Sequence, residues 1–276
     1  MKKHPSFRAV FLLLLAVVLI AAALWNMLSP QLDRWQSRRE YEKMAQDYVS
    51  TEPADGSDGK RSDAAEDTRQ KKKDWWYTDV KVEFEELKKQ NPDIIAWIRF
   101  DGEELGISYP VLYSGDNEKY IRTDVYGNDH IAGSIFLEGL NQPDFSDYYN
   151  IIYGHSMKNG TMFGNLKKYR TEGFWQENQY FTVYTEHTAY RYHIFSYETA
   201  PDGGEVYKIG YQPGEEYQEF IDHMIENSQI ETGIRPQSTN KILTLSTCVA
   251  VDSDERFAVH AVCIDTQTTD AAKLKE

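Results

Sequence analysis

The chain has 276 residues, 41% of them hydrophobic, and its 44 acidic and 30 basic side chains give a formal charge of -14. That length suits one good-sized domain with appendages, or two small domains, and the acidic balance argues against a nucleic-acid partner, which needs a basic surface. Two cysteines are too few for a disulfide scaffold, and an aromatic content of 13% fits β structure.

The first element is apolar. The run AVFLLLLAVVLIAAALW, Ala9 to Trp25, has no polar residue. With Asn-Met-Leu behind it, the run reaches the ~20 residues that span a hydrocarbon core. Lys2, Lys3 and Arg8 precede it, which keeps the N-terminus cytoplasmic. Arg34, Arg38 and Arg39 lie on the far flank, partly offset by Asp33 and Glu40. A cleaved signal peptide would use the small residues Ala21 to Ala23, but its apolar core is ~7–15 residues, so the length favours an uncleaved anchor. The expected organisation is a cytoplasmic tail over 1–8, a transmembrane signal-anchor over 9–28, a stalk and flexible linker over 29–74, and a folded domain over 75–276.

Within the stalk, Gln31 to Val49 is mixed-charge and helix-compatible. Ser50 to Asp74 has no aromatic and no large aliphatic residue. Such a stretch buries too little surface to offset its ordering entropy and reads as a tether. The Lys71 to Lys73 run reads as a solvated charge cluster.

From Trp75 the composition is globular. VEFEELKKQNPDIIAWIRFDG, Val82 to Gly102, predicts a short helix, a break at Asn91-Pro92 and a strand. ISYPVLYS, GSIFLE, YYNIIYGH, YFTVYTE and AYRYHIFSYETA are short, aromatic and β-branched, with turn residues between them. In GEEYQEFIDHMIENSQI, Tyr217, Phe220, Ile221, Met224 and Ile225 recur at helical spacing. KILTLSTC and RFAVHAVCI are two further strands. Many strands, one late helix and two final strands predict a β-barrel or sandwich with helical decoration.

The last two strands carry both cysteines. Paired as an antiparallel hairpin, they set Cys248 opposite Arg256, with Cys263 seven residues farther along. At ~3.3 Å per residue that is roughly 23 Å, whereas a disulfide needs Cα atoms within ~7 Å. Cys263 is therefore expected to pack in the core. Cys248 ends its strand at an acidic loop and faces Arg256, a permanently charged group with five donors. Such a group lowers a thiol pKa and binds a developing oxyanion. An inert half-buried Cys248, and an Arg256 paired with Asp252, Asp254 or Glu255, are the plain alternatives.

A cysteine nucleophile needs a proton-transfer partner. Of seven histidines, His155 is the best placed, since it ends the apolar run NIIYGH and opens a polar loop. Gly154 before it permits close backbone approach. His130 is a second loop site, and His260 reads as structural. Zinc is a poor alternative, because the chain has no CxxC and no HExxH.

TLSTC followed by RF, with an upstream YGHSM and TMF, resembles the sortases, the membrane-anchored cysteine transpeptidases of Gram-positive bacteria. NIIYGH, GSIFLE and the helix between the sixth and seventh strands resemble class B in particular. The resemblance spans about Phe84 to Asp265. It implies an eight-stranded β-barrel with an N-terminal helical extension and an inserted helix. It implies an extracellular catalytic domain over 75–276 that needs no cofactor. His155, Cys248 and Arg256 match the three catalytic positions, and Asn117, Ile121 and Ser246 match substrate-groove positions. The implied reaction cleaves a C-terminal sorting signal after threonine through a Cys248 thioacyl intermediate. It then joins the surface protein to a peptidoglycan-precursor amine. Two alternatives stay open: a pilin polymerase that uses a pilin lysine as acceptor, and a non-catalytic membrane-tethered β-barrel binding module.

Overall fold

The computed structural model describes residues 7–51, 80–248 and 254–268. The chain divides into two compact units, Met1–Lys43 and Met44–Glu276. The first consists of most of helix α1 (Phe7–Tyr48), whose side chains Phe11, Val18, Leu19, Ile20 and Trp25 are exposed. Among the described residues no helix is long and apolar enough to cross a membrane. The apolar run of the sequence passes through Val10, Leu12 and Leu13, whose side chains lie outside the described ones.

The helix-compatible stretch beyond Gln31 is helical as far as Tyr48, and β1 (Val49–Thr51) then pairs antiparallel with β2 (Val80–Val82). The sequence reading starts the tether at Ser50, but Ser50 and Thr51 are paired in β1; the rest of it and the expected domain start at Trp75 lie outside the described residues.

Eight strands close the barrel. They are β3 (Ile94–Phe100), β4 (Ser108–Leu112), β5 (Ile135–Leu137), β6 (Tyr149–Tyr153), β7 (Tyr180–Thr185), β8 (Thr188–Pro201), β9 (Ile242–Cys248) and β10 (Glu255–Thr268). Around the barrel the order is β10-β8-β7-β3-β4-β5-β6-β9. The β4–β5 and β6–β9 pairs are parallel and the others antiparallel. Parallel neighbours require long crossovers. There are two: residues 113–134 between β4 and β5, and residues 154–241 between β6 and β9, which hold β7, β8 and the late helix.

Ahead of the barrel, α2 (Phe84–Gln90) buries Phe84 and Leu87 and has Glu85 and Glu86 in its first turn and Lys88 and Lys89 in its last. That charge order suits the helix dipole. It ends at Asn91, the predicted break. A single helical turn, α3 (Phe174–Glu177), precedes β7. The late helix is α4 (Glu215–Glu226), between the sixth and seventh barrel strands, as expected.

Strand periodicity separates two faces. Leu243, Leu245, Phe257, Val259, Ala261 and Ile152 are fully buried on one. An eight-stranded barrel is narrow enough to be filled by such side chains. On the other face Tyr149, Ile151, Ile242 and Val262 pack with Tyr217, Phe220, Ile221 and Met224 of α4. Full burial of each large apolar side chain contributes about 1.5–3 kcal/mol, so this stripe holds the helix against the outer sheet. Ile225, also expected in the stripe, is only partly buried.

The β9–β10 hairpin has the expected register, from Arg256↔Cys248 to Val262↔Ile242. Cys263 is a free cysteine. Its side chain departs from the core-packing expectation. It is half-buried and its thiol donates to the Asp265 carbonyl at 3.5 Å. A register shift between Cys263 and Asp265 breaks the alternation there, and Ile264 is exposed.

Candidate active site

Two ladders bring three strand ends together. In the parallel β6–β9 pair Tyr153 lies beside Ser246, and the Gly154 N–H donates to the Ser246 carbonyl at 3.1 Å. His155 follows Gly154, while Cys248 lies two residues past Ser246 on the same face of β9. In the antiparallel β9–β10 pair Arg256 stands directly opposite Cys248. Neighbouring strands are ~4.8 Å apart. The backbone therefore delivers His155, Cys248 and Arg256 at one end of three adjacent strands. The Cys248 side chain and residues 249–253 lie outside the described ones.

Gly154 is required by this packing. A Cβ there would meet the Phe163 ring at 2.8 Å and overlap Ile135. The Phe163 N–H in turn donates to the His155 carbonyl at 3.0 Å, which turns the chain back after the histidine.

His155 is half-buried, and its Nε2 lies 2.7 Å from the carbonyl oxygen of Ile121. A carbonyl only accepts, so this nitrogen carries the proton. Arg256 is 23% exposed in its side chain, and its Nη2 donates to Asp202 Oδ2 at 2.7 Å. The sequence offered Asp252, Asp254 and Glu255 as partners; this bond runs instead to Asp202, the residue after β8, and Asp252 lies outside the described residues. The Asp202 N–H donates to the Asp254 carbonyl at 2.7 Å, continuing the β8–β10 ladder past Glu255↔Pro201.

A polar band lies between these strand ends and the apolar patch under α4. Ser246 is buried and shares a 2.9 Å hydrogen bond with the Tyr207 hydroxyl. Tyr207 stacks on Tyr153, with ring centroids 6.3 Å apart. The Tyr153 hydroxyl donates to Glu138 at 2.8 Å. Asn117 donates to the same carboxylate at 2.7 Å and accepts from the Gly139 N–H at 2.8 Å. Burial pushes the Tyr207 hydroxyl up to about 12, against the opposing pull of the Ser246 bond and Arg256. Burial, reinforced by Glu138, raises Tyr153 further. Both phenols therefore stay protonated donors near neutrality.

Farther along the same face, His260 is fully buried, 2.8 Å from Thr244 Oγ1 and 3.3 Å from Glu198 Oε1. That agrees with a structural histidine. His130 forms a turn, its Nδ1 accepting from the Ala132 N–H at 3.0 Å.

Of the groove positions read from sequence, Ile121 contacts His155 through its backbone, and the residue is 39% exposed. Asn117 and Ser246 are tied into the fold by the bonds above. The sequence reading did not pick out Tyr153, Tyr207, Glu138 or Asp202. Tyr153 had a signal, since it lies two residues before His155 in an alternating run. Tyr207 and Asp202 sit in the irregular segment after β8, where periodicity carries no information. Among the described residues no group of three or more His, Cys, Asp or Glu side chains could hold a metal ion.

Comparison with known proteins agrees with this architecture. A sortase domain model matches residues 103–264. A sortase B of Listeria monocytogenes is 32% identical over 171 residues, 62% of this chain and 68% of that protein. The crystal structure of Bacillus anthracis sortase B in complex with AAEK1 superposes with a TM-score of 0.66 at 26% identity, covering 85% of this chain and 99% of that one. A sortase B structure complexed with triglycine gives a TM-score of 0.67 at 25% identity, covering 84% and 99%. The chain belongs to the sortase family, in its class B branch, and is a transpeptidase.

Proposed function

We propose that this sortase cleaves a C-terminal sorting signal after threonine and transfers the acyl group to an amine of a peptidoglycan precursor. Cys248 thiolate attacks the threonine carbonyl, forming the carbon–sulfur bond. Arg256 donates hydrogen bonds to the oxyanion that develops. His155, as imidazolium, gives its proton to the leaving amine as the carbon–nitrogen bond breaks. A thioacyl enzyme remains. The acceptor amine then attacks the thioester, its proton passes to His155, and the thiolate departs. The groove positions Asn117, Ile121 and Ser246 shape the peptide site through the bonds they make with Glu138, His155 and Tyr207.

The observation that carries this reading is the pair of registers, Tyr153↔Ser246 and Arg256↔Cys248. They gather the strand ends bearing a nucleophile, a base and a fixed cation. The triglycine complex of a similar protein supports an amine acceptor. The anchor belongs to the same proposal: the apolar run over 9–25 holds the domain at the outer face of the membrane, where secreted substrates emerge.

Incubation with fluorogenic sorting peptides and trapping of the thioacyl enzyme by mass spectrometry test the proposal. The wild type is expected to carry an acyl adduct on Cys248 that a wall-type amine discharges. Cys248→Ala and His155→Ala are expected to abolish turnover while the barrel stays folded. Turnover by Cys248→Ala, or discharge only by a pilin lysine, overturns the respective step.

A further inference from the structure

The carbonyl that holds His155 is itself held from two sides. Ile121 ends the short turn Lys119–Ile121. On one side Asp93, at the mouth of β3, receives both the Tyr120 hydroxyl and the Lys119 ammonium at 2.6 Å through one oxygen. Asp93 is fixed in turn, because its N–H donates to Asn91 Oδ1 at 2.9 Å and its carbonyl accepts from the Tyr113 N–H at 2.9 Å. Tyr120 is 1% exposed, and its carbonyl accepts from the Ser134 N–H at 2.9 Å.

On the other side lies Gly133, with φ +52°. A Cβ built there would sit 2.5 Å from the Ile121 carbonyl oxygen and overlap the Tyr120 carbonyl oxygen. The turn is thus pulled down by Asp93 and allowed to seat only because residue 133 has no side chain. Burial, with Asp93 adding to it, raises the Tyr120 pKa, so the phenol remains a donor.

We propose that Asp93, Tyr120 and Gly133 are positioning residues for His155. They act through the Ile121 carbonyl, which locks the imidazole in its Nε2–H tautomer and leaves Nδ1 to exchange the proton in catalysis. The kinetic consequence rests on the transpeptidase reading above; the tautomer itself does not. A neutral histidine without such a partner divides between two tautomers, and only one presents the working nitrogen correctly. Misplacement of a reacting group by about 1 Å costs on the order of 10²-fold in rate.

The test uses the full chain in detergent with 15N-labelled histidines, the His155 signals being assigned by their loss in His155→Gln. At pH 8 the wild type is expected to show His155 in the Nε2–H form. Gly133→Ala is expected to shift it to a mixture and to slow acylation by about 100-fold, with KM changed far less. Tyr120→Phe, nearly isosteric, is expected to shift both readouts the same way by less. Asp93→Asn still accepts from Tyr120 and is expected to stay close to wild type where Asp93→Ala does not. An Nδ1–H wild type overturns the inference. So does a folded Tyr120→Phe or Gly133→Ala protein with wild-type tautomer and acylation rate. Failure of the transpeptidase reading looks different: the tautomer is held, yet no thioacyl adduct forms.

Discussion

Arg256 stands opposite Cys248 in the β9–β10 ladder while its guanidinium is held 2.7 Å from the Asp202 carboxylate at the end of β8. One strand thus fixes the backbone position of the arginine and a second fixes its side chain. In the oxyanion role proposed for Arg256, such a hold amounts to preorganisation before substrate arrives.

Arg256→Lys is expected to lower the acylation rate by about 10²–10³-fold, because a point charge cannot replace the planar fork. Single-turnover acylation by a sorting peptide measures this. Near-normal turnover would remove Arg256 from the oxyanion role.

Asp202 should matter through Arg256. Asp202→Ala is expected to reduce kcat by about 10- to 100-fold with a smaller change in KM. Asp202→Asn, which still accepts a hydrogen bond, should lose less. Equal losses in the two variants would mean that charge, not orientation, is the contribution.

The two cysteines should react very differently. Burial pushes the Cys263 thiol up to about 11. At pH 8 only about one in a thousand of these thiols is ionised, and the thiolate is the reactive form. Peptide-like thiol probes are expected to label Cys248 first by a wide margin. Comparable rates at both positions, read by peptide mapping, would favour an inert barrel.

Tyr207→Phe removes the partner of the buried Ser246 hydroxyl. Leaving a buried polar group unsatisfied costs about 1–3 kcal/mol, which urea denaturation resolves. The double variant Tyr207→Phe with Ser246→Ala should recover part of that loss, and no recovery would mean that the two groups are not coupled.

Burial raises the Tyr207 and Tyr184 hydroxyls to about 12 each, from the ordinary ~10. The folded chain keeps phenol protons that the unfolded chain releases. This contribution is therefore complete below pH ~10 and is lost as pH rises through ~12. Urea midpoints at pH 8, 10 and 11 should fall in that order, and a flat profile would contradict the burial of these rings.

The strands, the late helix, the hairpin register and the nomination of His155, Cys248 and Arg256 were all legible in the sequence. Each is a local property: alternation marks a strand, 3.6-residue spacing marks α4, and a hairpin sets its own pairing. What the tertiary structure alone decided is which distant groups meet. Asp202 meets Arg256 because the β8–β10 ladder carries it there. The Ile121 carbonyl reaches His155 because Asp93 and Gly133, on either side of it in the chain, shape the turn between them. Such contacts join segments with no common period, and a backbone carbonyl carries no residue signature.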